Sequence, residues 1–94
     1  RVDELATKYG FRYGSVYVKN AKTRWGSCSA KNNINLNLHL MRIPTHLRDY
    51  VILHELVHTV HKNHGQEYWA LLDCITGEAR LFEKELKKHS IELV

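Results

Sequence analysis

The sequence predicts an α+β fold: a small antiparallel or mixed sheet packed on one long helix, followed by C-terminal helices. Three observations predict it. Residues 34–38 (INLNL) alternate apolar and polar, which is the period of a half-buried strand. Leu47, Val51, His54, His58 and His61 recur at spacings of 4, 3, 4 and 3, which is the period of a helix. Beyond Gly65, two shorter helical patterns follow, separated by Gly77.

The elements follow in order. Residues 2–8 read as a short helix ended by Gly10. Residues 15–19 (SVYVK) alternate, with Val16 and Val18 on one face, and read as a strand. Residues 23–29 (TRWGSCS) are a second strand candidate, in which Gly26 marks a bulge or a close backbone approach. Residues 30–33 (AKNN) suit a turn, so this stretch and INLNL form an antiparallel hairpin. INLNL puts Ile34, Leu36 and Leu38 on one face and Asn35 and Asn37 on the other. Pro44 fits the first turn of a helix, where its missing N–H costs nothing. That helix is expected to run to about Lys62, with Tyr50, Leu53 and Val57 widening its apolar stripe. A second helix is expected over 66–75, with Tyr68, Trp69, Leu72 and Ile75 apolar, and a last one over 78–89. In the last helix Ala79, Phe82 and Leu86 point inward, and Glu83 pairs with Lys87 on a wet face.

Composition narrows the function classes. Residues 1–94 are expected to form a single domain with a small core, the C-terminal part of a longer protein, since the chain opens without methionine. No apolar run approaches the roughly 18 residues of a membrane span, and no apolar leader follows Arg1 and Asp3. The formal charge of +4 is mild, and no zinc-finger or RNA-binding signature appears, so stable nucleic-acid binding is not favoured. Cys28 and Cys74 lie far apart without a CxxC, which suggests a reducing, cytoplasmic location. The unusual feature is histidine: six of the seven fall between His39 and His64.

Residues 54–58 spell HELVH. Residues four apart on a helix lie one above the other, so His54 and His58 can point at one ion. Glu55 is rotated about 100° around the axis and can reach a water on that ion without ligating it. Three protein ligands plus water is the usual catalytic zinc arrangement. Straight continuation of the helix cannot supply the third, because His61 lies about 10 Å along the axis from His54. A chain that reverses can. His64 stands ten residues after His54, directly before Gly65, and the run HELVHTVHKNH has HExxHxxxxxH spacing. Metzincins carry glycine where His61 stands, so membership of that group does not follow. Glu78, on a later helix, is the rival third ligand. Glu67 and Asp73 are candidates to hold an imidazole N–H from behind. His61 faces roughly the same side, as a packing residue or a donor to substrate. His46 reads as exposed at the head of the helix, and His39 has no assigned role.

A purely structural reading competes with this one. HExxH is short enough to arise by chance, and histidines at i,i+4 can be solvated or satisfied in a core. Against it, the motif lies inside an apolar stripe, where ionisable groups are costly unless engaged. A third donor also stands at a recognised spacing beside a glycine turn.

The run RWGSCSAKNNINLNLHL, then a proline, then YVILHELVHTVHKNHGQEYWALL, resembles the YgjP-like family of metal-dependent hydrolases and metallopeptidase-like proteins, related to SprT-type and other minimal zincins. The resemblance spans about residues 17–72. It implies a minimal zincin-like core on the HExxH helix, histidine ligands at His54, His58 and His64, and a catalytic glutamate at Glu55.

The expected activity is therefore that of a zinc-dependent hydrolase, with a metal-activated water and Glu55 as general base. A peptide or protein is the favoured substrate: an extended chain can pair with a sheet edge beside the helix, with Asn35 or Asn37 meeting its backbone. Arg24, Lys22 and Lys31 crowd the same hairpin and suit a phosphorylated substrate, so a nucleotide or phosphoanhydride hydrolase is the alternative. Trp25 then stacks a base, although a tryptophan in a strand is more often core. A non-catalytic metal-stabilised domain that binds DNA or protein is the third class. A structural site has no need of a base, so Glu55 argues against it.

Overall fold

A computed structural model describes residues 1–21 and 24–89. In chain order it contains α1 (Val2–Tyr9), β1 (Val16–Lys19), β2 (Gly26–Cys28), β3 (Ile34–Asn37), a 3₁₀ turn (Leu38–Arg42), α2 (Thr45–Val57), α3 (Gln66–Thr76) and α4 (Ala79–Lys87). Among the described residues, no helix is long and apolar enough to cross a membrane.

The sheet is mixed, in the order β1–β3–β2. β1 runs parallel to β3, with Val16 opposite Ile34, and β2 runs antiparallel, with Cys28 opposite Ile34. The expected hairpin is present. Asn32 turns it at φ 64°, a left-handed conformation asparagine tolerates, and Ser29 Oγ accepts the backbone N–H of Asn33. The strand expected over 23–29 is shorter, Gly26–Cys28, and Thr23 lies outside the described residues. Trp25 is half-buried and packs against the core.

The alternation of INLNL breaks at its end. Leu38, expected on the apolar face, opens the 3₁₀ turn and is 52 % exposed. Asn37, expected on the polar face, is buried. Its amide donates to the carbonyls of Ala21 (3.0 Å) and Arg24 (2.7 Å), and its Oδ1 accepts the N–H of His39 (2.9 Å). A buried amide is tolerated only when so bonded. Asn37 is therefore a clip that ties the segment before β2 to the end of β3, and it is not available to a substrate. β3 is also the central strand, paired on both sides, so the edge beside the helix is β2.

α2 is buried on most of its circumference, including Leu47, Tyr50, Val51, Leu56 and Val57. Pro44 stands just before it, and its carbonyl accepts the N–H groups of Leu47 and Arg48. The helix stops at Val57, short of the expected Lys62. From His58 the bonds shift to i→i−3, His58 to Glu55, Thr59 to Leu56 and Val60 to Val57, and Thr59 Oγ1 donates to the Leu56 carbonyl. This tight last turn takes His61 off the stripe on which straight continuation puts it.

α1 packs on α2 through Val2, Leu5 and Ala6, and Arg1 forks onto Asp49 at 3.0 and 2.7 Å. α3 buries Tyr68 and Leu72, and Gly77 ends it at φ 92°. α4 buries Ala79 and Leu86. Glu83 does not sit on a wet face beside Lys87. It is turned inward and accepts the Tyr50 hydroxyl at 2.8 Å.

Candidate metal centre

The HELVH spacing places His54 and His58 on one side of α2, and the tight turn with the reversing loop returns His64 to them. One nitrogen from each of these three imidazoles lies within 4.8 Å of the others, and among the described residues this is the group able to hold a metal ion. Nε2 of His58 and Nε2 of His64 are 2.9 Å apart. Two ligand nitrogens on one tetrahedral zinc stand about 3.3 Å apart, so the pocket needs little adjustment to accept one.

The donor chemistry fits a cation as well. Nδ1 of His58 faces the carbonyl of His61 at 3.0 Å and donates its proton there. That leaves the lone pair on Nε2, the atom aimed at His64. Two lone pairs at such a distance repel unless a proton or a cation lies between them. Burial pushes the His58 pKa down, against the pull of the His61 carbonyl and Glu55, which favours the neutral, ligating form.

Beneath the cluster lies Tyr68, fully buried on α3. Its ring centroid is 5.4, 4.5 and 4.7 Å from those of His54, His58 and His64, and its hydroxyl donates to the His54 carbonyl at 3.0 Å. One aromatic plate thus limits how far any of the three rings can rotate. Reading Tyr68 as part of an apolar set undervalues it; its signal is the YW pair directly after the reversing loop.

Glu55 is buried at 5 % exposure, with Oε2 3.2 Å from Nδ1 of His54. β2 passes over it at Gly26. A Cβ there would meet the Asn35 carbonyl at 3.0 Å, Glu55 Cγ at 3.2 Å and Glu55 Oε2 at 3.4 Å. The close backbone approach expected at Gly26 is therefore an approach to the carboxylate itself. The cavity in front holds about 410 Å³ and is walled by all of β2 together with Arg24, Lys62, Glu55 and the three histidines. Lys62 donates to the Ser29 carbonyl (3.0 Å) and to Asn32 Oδ1, binding the hairpin turn to the reversing loop. Burial pushes the Cys28 thiol pKa up, against the pull of the Lys62 ammonium, which keeps it a poor ligand.

The remaining candidates fall elsewhere. Glu78 is exposed at the head of α4, outside the convergent group. Asp73 accepts the Ala79 N–H at 2.8 Å and caps α4, so it holds no imidazole. Glu67 is exposed and lies 3.6 Å from His61 Nδ1, so the residue it approaches is outside the triad. The contribution of His61 to the site is its backbone carbonyl. His46 pairs with Glu85 at 3.0 Å, and His39 lies between Asn20 and Arg42. Lys31 is exposed in the hairpin turn, and Lys22 lies outside the described residues.

A convergent donor set of this kind, on a helix laid across a small mixed sheet, marks a metal-dependent hydrolase. The chain belongs to the YgjP-like, metallopeptidase domain family, whose model matches residues 1–89. The match is broader than the 17–72 stretch that carries the motifs. The fold is similar to that of the metallopeptidase zymogen of Pyrococcus abyssi abylysin, with TM-score 0.79 and 17 % identity over 94 % of this chain and 90 % of that one. It is equally similar to the metallopeptidase zymogen of Methanocaldococcus jannaschii jannalysin, with TM-score 0.78 and 24 % identity over 94 % and 91 %. At these identities the likeness carries the fold. No curated protein sequence matches the chain.

Proposed function

We propose that this chain is a zinc-dependent hydrolase of peptide bonds, with His54, His58 and His64 as the metal ligands and Glu55 as the general base. The observation that carries the reading is the meeting of three imidazole nitrogens with one buried carboxylate in a single cavity. Zinc bound there supplies a Lewis acid and lowers the pKa of water toward neutrality. Glu55 takes the proton of the attacking water on Oε2 and passes it to the leaving amine. Gly26 lets the backbone lie against Glu55 and keeps bulk water off one side of it. Tyr68 and the His61 carbonyl hold the imidazoles in register.

A peptide fits because the cavity wall is an edge strand. β2 pairs with β3 on one side only, among the described residues, and Gly26, Ser27 and Cys28 all line the cavity. An extended substrate can add to that edge through its backbone, with alternate side chains falling into the cavity. The role expected for Asn35 or Asn37 of β3 thus passes to the backbone of β2.

A nucleotide or phosphoanhydride substrate is the second reading, and Arg24 favours it, since it lines the cavity together with Lys62. Of the three basic residues that suggest it in the sequence, Arg24 alone stands there among the described ones. The test is a parallel screen of zinc-loaded wild type and Glu55→Gln against unstructured peptides and nucleoside triphosphates. Cleavage of peptides by the wild type alone, at equal zinc content, is the expected result. Turnover of triphosphates alone, abolished by Arg24→Ala, would replace the peptide reading. No turnover of either class would favour a metal-stabilised binding domain.

We also take the chain as one domain, because a single cluster of buried residues from Val2 to Leu86 joins its helices and sheet. A reducing, cytoplasmic setting suits the free thiols of Cys28 and Cys74.

A further inference from the structure

We propose that Arg80, laid flat on Trp69 beside His64, forms a substrate subsite that takes a carboxylate of the peptide, from an acidic side chain or from its C-terminus. The inference rests on the reading of the cleft as a site for peptide bonds.

A second cavity, of about 520 Å³, carries it. Trp69, Asp73 and Arg80 line it, and His64 lines both this cavity and the one that holds Glu55. The guanidinium carbon of Arg80 lies 3.8 Å from the centroid of the Trp69 ring, and that ring stands 6.2 Å from the ring of His64. Arg80 is therefore no more than about 10 Å from the His64 ring, the length of about three residues of an extended chain. The tryptophan is itself held in place. It packs half-buried against the core and meets Tyr68, the plate beneath the three histidines, edge-on at 5.4 Å. Asp73 Oδ1 accepts the Ala79 N–H at 2.8 Å, which pins the start of α4, and with it Arg80, to α3. The position of this cation is thus tied to the histidine cluster through two aromatic rings.

A stacked guanidinium gives its face to the ring and keeps its N–H edge for an acceptor, and a carboxylate matches that fork. Among the described residues no carboxylate pairs with Arg80, in contrast to Arg1, which forks onto Asp49. Asp73, the acid that lines the same cavity, is engaged as the cap of α4, where the positive end of the helix offsets its charge. The cavity therefore presents an exposed and oriented cation. Packing alone requires a guanidinium on a tryptophan, not an open cavity shared with His64. The site also separates charges well. An acid of the substrate lodged in the first cavity would face Glu55, whereas one lodged against Arg80 lies on the far side of His64 from β2.

The test measures binding of an acetylated, amidated octapeptide without charged residues to zinc-loaded Glu55→Gln, alongside its cleavage by the wild type. One glutamate is placed at each position in turn, and a separate arm frees the C-terminal carboxylate of the neutral peptide. Glutamate at one or two positions, or the free C-terminus, is expected to tighten binding about 3–10-fold, the range of a partly exposed charge-assisted pair. The arm that responds names the source of the carboxylate. Adding Arg80→Ala abolishes the gain. Arg80→Lys, which keeps the charge without the flat stack or the fork, restores part of it, and Arg80→Glu converts it into a preference for lysine. A gain that survives Arg80→Ala overturns the subsite and assigns the carboxylate to Arg24 or Lys62 of the first cavity. Acidic, free-ended and neutral peptides that bind alike, within about 1.5-fold, overturn it as well. In both cases cleavage of the peptides by the wild type keeps the peptide-bond reading intact. Absence of both binding and cleavage overturns that reading and the subsite together.

Discussion

The two walls of the cleft are built in opposite ways. The helix wall, from His54 to His64, takes its groups from eleven consecutive residues, and their meeting is decided by helical pitch and one tight turn. The sheet wall, β2, meets the carboxylate only because Gly26 pairs with Leu36 and carries no side chain. The contrast teaches that metal-site chemistry is local in sequence, whereas the surface a substrate would meet depends on long-range pairing.

The sharpest break between the walls is expected from the helix side. His64→Ala should weaken zinc by more than about 100-fold, beyond the range for outer partners, while Glu78→Ala leaves it unchanged. Chelator competition on both variants checks this, and the reverse order would move the third ligand to α4. On the sheet side, Gly26→Ala should lower kcat while zinc affinity holds, since its Cβ would press on Glu55 and on the Asn35 carbonyl rather than on an imidazole. Overpacking of this kind costs about 1–3 kcal/mol, readable as a lower Tm. An equal loss of zinc binding would mean that the two walls are not separable.

Asn37→Ala removes the clip of the sheet wall and leaves the carbonyls of Ala21 and Arg24 without their donor. A loss of about 1–3 kcal/mol in urea unfolding is expected, with zinc affinity unchanged.

The smallest effect concerns pH. Burial holds the His58 pKa below the usual 6.5, so its neutral form is favoured in the folded state. The stability this contributes is present above 6.5 and is lost as pH falls through the lower folded value. Metal-free protein should lose stability over that acid range, and His58→Gln should flatten the loss, as urea melts at stepped pH would record.

The same contrast explains what could be read from the sequence. His54, His58 and Glu55 were legible because a helix converts spacing directly into direction. His64 was legible because a glycine followed it at a known interval. The end of α2 at Val57 was not, since no proline or glycine marks it; the switch to i→i−3 bonding and the Thr59 side chain do. Asn37 misled because alternation assigns faces by parity, and a buried amide satisfied by three backbone groups breaks parity at no local cost. Glu83 misled similarly: i,i+4 spacing to Lys87 suggests a surface pair, but its partners Tyr50 and His54 lie about thirty residues away.

The most direct test is X-ray absorption at the zinc edge of the loaded protein. Three imidazole nitrogens at about 2.0–2.1 Å with one oxygen, and no sulfur, is the expected result. A shell at about 2.3 Å would put Cys28 on the ion, and fewer than three imidazoles would break the triad; either would contradict the proposed ligand set.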